Sequence, residues 1–358
     1  MITAHINRVA TAVPPHDVHD TFVGFAMRML QDPRRQELFR RMAERGQIEH
    51  RWSSLAPARG CGDSVDEEGF YTVGRFPSTA VRMQRYEAEA PRLAIEAVAK
   101  LELGEEVVAI THLVVVSCTG FSAPGLDFAL IERFGLNPSV ERTMVGFMGC
   151  YAAINGLKLA HHIVRSQPDA RVLLVCIELC TLHLQETANI EQVLTFLVFG
   201  DGCAAALISA ESYGFAVESF RSLLIPRTAE HITWNIRDFG FDMVLSGQVP
   251  GHLGEALRMH RAEILPREAR EEITLWAVHP GGRSVLDAVG AGLGLPQSAL
   301  AESREVLRRF GNMSSATILF VLERLLRSRR ASQLGCAMAF GPGLVAETMQ
   351  FRAAGAVV

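Results

Sequence analysis

The 358-residue chain has no Cys-x-x-Cys pair, no block of basic residues and no apolar run near the ~20 residues that a bilayer-spanning helix requires. Its first residues, MITAHINRVATAVPP, lack the charged-then-apolar order of a signal peptide. These absences predict a soluble cytoplasmic protein without stable membrane insertion. The net charge of -4, with no basic stripe, argues against nucleic acid as a main partner, although an acidic ligand needs only a local group of arginines. The seven cysteines (Cys61, Cys118, Cys150, Cys176, Cys180, Cys203 and Cys336) are odd in number and lie mostly in apolar runs. That usage excludes a secreted disulfide framework and fits a reducing compartment. Cys176 with Cys180, and His161 with His162, read as structural pairs rather than metal ligands, so no metal or redox cofactor is expected.

What the chain does have is apolar residues, 49% of the total against 21% charged, enough for one large unit or two that share a core. Short apolar runs at His112–Cys118, Arg171–Glu178, Cys203–Ser209, Leu275–His279 and Cys336–Phe340 predict strands buried on both faces. Between them run amphipathic stretches such as Ile154, Leu157, His161 and Val164, and a second long helix is predicted over Ser314–Arg329. The first hundred residues differ. They predict charged helices including Gln36–Arg45 and Ala90–Leu101, with a Gly-, Pro- and Ser-rich excursion over Ser53–Pro77. No clean linker appears, so residues 1–212 and 213–358 read as two halves of one unit.

The halves repeat. VVVSCTGFSAPGLDFALIERFGL and LWAVHPGGRSVLDAVGAGLGL share the order strand, glycine turn, helix and Gly-Leu ending. Cys150 follows Ser117, at the first strand's end, by 33 positions; Asn312 follows His279, at the second strand's end, by 33. Each of these second positions opens a helix. A duplicated α/β half produces this pattern, and its pseudo-twofold axis would bring Cys150, His279 and Asn312 together. The alternative is chance likeness, because short α/β units resemble one another.

Cys150 in VGFMGCYAA stands where free N–H groups and the positive end of a helix dipole favour a thiolate, and an imidazolium from His279 would favour it further. Taken alone, Cys150 is equally readable as a small buried hydrophobe, His279 as a buried strand-end histidine and Asn312 as a helix N-cap. Together they suit one reaction. The thiolate accepts an acyl group; the His and Asn N–H groups stabilise the enolate left when a malonyl thioester loses CO2; and the enolate attacks the acyl-cysteine.

At these residues the chain resembles the type III polyketide synthases, the chalcone-synthase-like family. The likeness lies in GC at 149–150, FGDG at 199–202, HPGG at 279–282, GNMSS at 311–315 and FGPGLVAE at 340–347, and it runs in order from about Arg41 to the C-terminus. The resemblance implies a thiolase-like α/β fold of αβαβα layers and a homodimer that condenses malonyl-CoA onto an acyl-CoA starter without a carrier protein. By position it implies Cys150 as nucleophile and His279 and Asn312 as the decarboxylation pair. Phe199 is implied as a gatekeeper and Ser314 as a pocket residue. Arg41 and Arg45 are implied as CoA-phosphate ligands. A third such position falls on Leu38, which leaves Arg40 or Arg51 to take over.

The departures concern substrate. Cys118, Cys180 and His183 stand where plant members have threonines, Met243 where they have a second gatekeeper phenylalanine, and Trp234 where they have a pocket glycine. Ala123 replaces a methionine that reaches across the dimer. This pocket, with SCTGFSAPG and VGFMGCYAA, resembles bacterial members that take fatty acyl starters to alkylresorcinols, alkylresorcylic acids or alkylpyrones. The competing readings are a tetrahydroxynaphthalene synthase using malonyl-CoA alone, a ketoacyl-ACP synthase III, a non-catalytic acyl-CoA binder and, most remotely, a cysteine protease or amidase. HPGG and FGPGLVAE argue against the synthase III, and the intact Cys, His and Asn argue against the non-catalytic binder.

Overall fold

The structure, a computed structural model, describes residues 2–60, 62–265 and 272–355; Cys61 lies outside them. Nine strands form one mixed sheet. They are β1 (His5–Ala12), β2 (His112–Ser117), β3 (Glu141–Gly146), β4 (Val172–Leu179), β5 (Asp201–Ser209), β6 (Phe215–Leu224), β9 (Ile273–Val278), β10 (Leu334–Gly341) and β11 (Val345–Ala353). The strands β7 (Ile232–Arg237) and β8 (Gly240–Leu245) pair as a separate hairpin.

The sheet order β9-β10-β11-β6-β1-β5-β4-β2-β3 carries the duplication. In the first half β2 and β4 are parallel, while β4/β5 and β5/β1 are antiparallel. In the second half β9 and β10 are parallel, while β10/β11 and β11/β6 are antiparallel. The halves meet where β1 pairs with β6 over only His5–Ala216 and Ile6–Phe215.

Alternation along the strands sorts the side chains into layers. Val114 and Val116 of β2, with Leu275 and Ala277 of β9, face a central core that contains the helices Ala152–Ser166 and Thr317–Ser328. Leu113 and Val115 face an outer layer with the helix Thr79–Ala99. Trp276 and Val278 face the opposite outer layer, with Val249–Met259 and Arg283–Leu293. Helix, sheet, helices, sheet and helix therefore follow one another, which is the thiolase-like α/β layering. The apolar faces of the central helices fill this core: Ile318, Leu319, Val321 and Leu322 are fully buried, and each such side chain contributes about 1.5–3 kcal/mol. Among the described residues no helix is long and apolar enough to cross a membrane.

The strand runs read from the sequence all lie within or beside observed strands, and the helix predicted over Gln36–Arg45 is Pro33–Gly46. The helix at Ala90–Leu101 begins earlier, at Thr79, because Pro91 is accommodated within it. Each central helix is preceded by a 3-10 turn, Gly149–Tyr151 in one half and Ser314–Ala316 in the other. The first turn depends on Gly149, whose φ is +76° and where an added Cβ would lie 2.3 Å from Pro342 Cδ. Gly149→Ala should therefore cost about 3 kcal/mol of unfolding free energy, from left-handed backbone plus overpacking, measured by urea denaturation.

Candidate active site

Cys150, His279 and Asn312 come from three different segments and converge at the ends of the duplicated units. Cys150 sits in the turn that opens the first central helix and is buried. His279 ends β9, and its N–H donates to Met338 O at 2.7 Å, which extends the β9/β10 pairing by one residue. Pro280 and Gly281 then turn the chain, and a Cβ on Gly281 would touch His279 Nε2 at 3.7 Å. Asn312 is tied by its backbone to the segment around Phe199. Its N–H donates to Val198 O at 2.8 Å, and its carbonyl accepts from Gly200 N–H at 3.0 Å.

The hydrogen bonds fix the Asn312 amide. Oδ1 accepts the Ser314 N–H at 2.9 Å, so Nδ2 is the donor, and it points at Gly281 O at 3.3 Å on the His279 turn. Ser314 adopts φ of +46°, a strained conformation of the sort that concentrates at functional sites. Neither ring nitrogen of His279 has a hydrogen-bond partner among the described residues, although the residue is buried. A buried imidazole with both nitrogens unpaired is an exception that calls for a functional reason.

Burial dominates the electrostatics. It pushes the Cys150 thiol up to about 11, against hydrogen bonds from Ser314 and Asn312 that favour the thiolate. It pulls His279 down to about 3. Burial therefore outweighs the helix-start stabilisation expected from the sequence and favours a neutral thiol at Cys150 and a neutral imidazole at His279. Desolvation penalises each ion singly; moving the thiol proton to the imidazole makes both charges at once, and their attraction offsets part of that cost.

Behind Cys150 lies a group that sequence reasoning missed. Glu178, fully buried on β4, accepts the Cys118 N–H at 3.0 Å, the Thr119 hydroxyl at 2.8 Å and the Ser315 hydroxyl at 2.5 Å. The Cys118 thiol lies 3.4 Å from Glu178 and 3.3 Å from Ser314 Oγ. Glu178 thus joins the ends of β2 and β4 to the turn that follows Asn312. Its signal was present in the sequence: it is the lone charge in VLLVCIEL, a strand buried along its whole length.

The pocket residues separate. Cys180, Phe199 and Met243 share one apolar cluster, and Trp234 packs against it. Trp234 Nε1 donates to Cys118 O at 2.7 Å, pinning the β7–β8 hairpin over the site. His183 stacks on Phe241 at 4.1 Å, and both its nitrogens are engaged, one with Thr119 O at 2.7 Å and the other with the Phe241 N–H at 3.1 Å. It is a latch in the wall, with no polar atom left for a ligand. Ala123 is not brought to the site within one chain; it is exposed and lines a surface cavity of about 550 Å³ with Phe121, Phe128 and Met144 beside the edge strand β3.

A second surface cavity, of about 460 Å³, lies between the helix Pro33–Gly46 and the start of the helix Arg283–Leu293. It is lined by Met42 and Arg45 of the helix Pro33–Gly46, by Val198, and by Gly282, Arg283 and Ser284. Arg45 therefore faces this cavity. Arg41 is exposed, faces Glu37 at 3.7 Å and does not line the cavity. Arg40 is likewise taken up by Glu37 and Glu44. Arg51 is buried, donates to Phe196 O and Phe199 O, and is an internal strut rather than a phosphate ligand. Among the described residues no group of His, Cys, Asp and Glu is arranged to hold a metal ion, and the six described cysteines are free and buried.

A buried cysteine at a helix start, an asparagine amide beside it and a histidine on the turn that amide reaches, in a duplicated α/β fold, suit a condensing acyltransferase. The chain belongs to the chalcone and stilbene synthase family, the type III polyketide synthases. The family's N-terminal domain matches residues 3–212 and its C-terminal domain residues 216–355. The chain is 33% identical over 364 residues to the alpha-pyrone synthesis polyketide synthase-like Pks18 of Mycobacterium tuberculosis, covering 97% of this chain and 91% of that protein. It is 35% identical over 299 residues to bisdemethoxycurcumin synthase of Oryza sativa subsp. japonica, covering 77% and 74%. Among solved structures, PKS-I of the brown alga Ectocarpus siliculosus superposes with a TM-score of 0.87 at 29% identity over 99% of both chains. The type III domain of Steely1 from Dictyostelium, at 24% identity, covers 99% of this chain and all of its own with a TM-score of 0.89, a likeness of fold.

Two outcomes follow from this geometry. Glu178→Ala leaves an N–H and two hydroxyls without their buried acceptor and should lower unfolding free energy by about 3 kcal/mol, whereas Glu178→Gln keeps one acceptor and should lose less, both read by urea denaturation. His279→Ala removes the imidazole that can take the thiol proton, so iodoacetamide labelling of Cys150 at pH 7 should slow by about tenfold or more and its pH midpoint should rise.

Proposed function

We propose that the chain catalyses iterative decarboxylative condensation of malonyl-CoA onto a medium- or long-chain acyl-CoA starter, with cyclisation to an alkylpyrone, alkylresorcinol or alkylresorcylic acid. The observation that carries this reading is the convergence of Cys150, an unpaired buried His279 and an oriented Asn312 amide.

In this reading His279 takes the Cys150 proton as the sulfur attacks the starter thioester. The acyl group moves to Cys150, and CoA leaves with the proton from His279. Malonyl-CoA then places its thioester carbonyl oxygen against His279 N–H and Asn312 Nδ2. Loss of CO2 leaves the electron pair as an enolate on that oxygen, in a buried site where two fixed donors act with little screening. The enolate carbon attacks the acyl-cysteine, the C–S bond breaks, and the product is a chain two carbons longer on CoA with the Cys150 thiolate regenerated. The cycle consumes CoA thioesters as substrates and needs no metal or redox cofactor.

Several features support the choice of starter. Cys118 and Met243 replace bulkier or more polar plant residues with adaptable apolar ones. Trp234 is pinned across the position of a pocket glycine, and the alpha-pyrone relative covers nearly the whole chain. We also propose a homodimer. Strand β3 is an unpaired sheet edge with exposed Phe128 and Met144 beside it, and Ala123 on that edge is placed to reach a second copy. Free, buried cysteines suit the cytoplasm as its location.

The reading is tested by incubating the protein with malonyl-CoA, with and without a series of acyl-CoA starters, and identifying products by mass. Alkylated tri- and tetraketides from C8 and longer starters are expected. They should be absent with Cys150→Ala and reduced by about 10²–10³-fold with Asn312→Ala. One dominant aromatic pentaketide from malonyl-CoA alone, with long starters ignored, would sink the starter assignment in favour of tetrahydroxynaphthalene formation.

A further inference from the structure

We propose that Arg283 is a phosphate-holding residue of the acyl-CoA entrance, supplying from the helix Arg283–Leu293 the cation that Leu38 does not supply from the helix Pro33–Gly46. The inference rests on the acyl-CoA reading of the 460 Å³ cavity.

The helix Pro33–Gly46 brings one arginine to that cavity. Leu38 and Met42 expose an apolar strip, Arg41 turns to Glu37, and Arg45 alone of its arginines lines the opening. Facing Arg45 across the cavity mouth is Arg283. Its Nη1 donates to Arg45 O at 3.1 Å, which holds the guanidinium against the end of that helix. Its Nε lies 3.5 Å from Asp287 Oδ2, and Nη2 has no partner among the described residues. Asp287 does not cancel this charge, because Arg304 already binds it at 2.6 Å.

Two arginines therefore line one cavity, one of them anchored to the backbone of the other. The inner wall is Val198 and Gly282, next to Phe199 and the turn that carries His279. Arg283 also begins a helix whose N-cap, Gly282, offers no side-chain cap, so the uncompensated positive end of that helix adds to the field. A planar guanidinium clamped through one nitrogen presents the others at a fixed angle, which suits a phosphate better than a free lysine does. A phosphate of the nucleotide end of CoA held here leaves the thioester arm directed past Gly282 toward His279.

The test compares one acyl chain carried as its CoA thioester and as its N-acetylcysteamine thioester, which has no phosphate. Wild type, Arg283→Ala and Arg283→Lys are assayed at several salt concentrations, with thermal unfolding measured for each. Arg283→Ala should raise KM for acyl-CoA about tenfold or more with kcat within about twofold, and leave kinetics on the phosphate-free thioester unchanged. Arg283→Lys should recover part of the loss, and the rise of KM with salt should be shallower in Arg283→Ala than in wild type. Equal losses on both thioesters would show that Arg283 only braces Arg45 and would overturn the assignment. So would a wild-type preference for CoA that Arg283→Ala retains. If wild type itself showed no preference for the CoA thioester, the acyl-CoA reading of the cavity would fall, and this assignment with it.

Discussion

Two helices, Ala152–Ser166 and Thr317–Ser328, pack their apolar faces between the halves of the sheet, and the placement of Cys150 and Asn312 follows from that packing. The wide apolar face of each is buried in the central core, while a narrower face keeps His162, Arg165 and Arg327 exposed. Each helix enters the interior from a turn at the sheet's end, and the polar residues needed to start it must sit there: Gly149 and Cys150 in one half, Asn312 and Ser314 in the other. The pseudo-twofold arrangement of strands then brings the two starts together, with His279 arriving at the end of β9 beside them.

Placing chemistry in such an interior has a cost that the surrounding residues offset. Glu178 would be a severe liability if unpaired, yet it receives an N–H and two hydroxyls and ties three segments together. Arg51 does the same for the stretch around Phe199. At His279 both ring nitrogens are left without a hydrogen-bond partner among the described residues. The low dielectric that raises the Cys150 thiol and suppresses the imidazolium would, in the proposed reaction, also strengthen hydrogen bonds offered to a developing enolate. The same burial thus sets a neutral resting state and favours charge stabilisation once substrate excludes water.

Much of this was legible in the sequence. Strands buried on both faces announce themselves as continuous apolar runs, and the equal 33-residue spacings expose the duplication. The order of GC, HPGG and GNMSS suggested the family before any coordinates. Other features could not be read because they depend on what lies across space rather than along the chain. His183 was expected at the substrate, but Thr119 and Phe241 occupy both its nitrogens. Arg41 and Arg51 were both candidates for phosphate; one turns to Glu37 and the other is buried. Glu178 showed as an anomaly in its strand, without a hint of its partners.

By itself, the sequence determined the buried strands that alternate with helices and the matched spacings that single out Cys150, His279 and Asn312, because periodicity and spacing are properties of the chain; the layered fold and the roles of the three residues came from the family resemblance. The tertiary structure decided what those residues face. It decided that Cys150 is a buried thiol pushed up by desolvation, which depends on the packing of distant segments. It decided that Trp234 bonds to Cys118, that Glu178 binds the two halves together, and that Arg45 shares its cavity with Arg283 from the other half of the chain. Each of these is a contact between residues far apart in sequence, and only the folded backbone sets such distances.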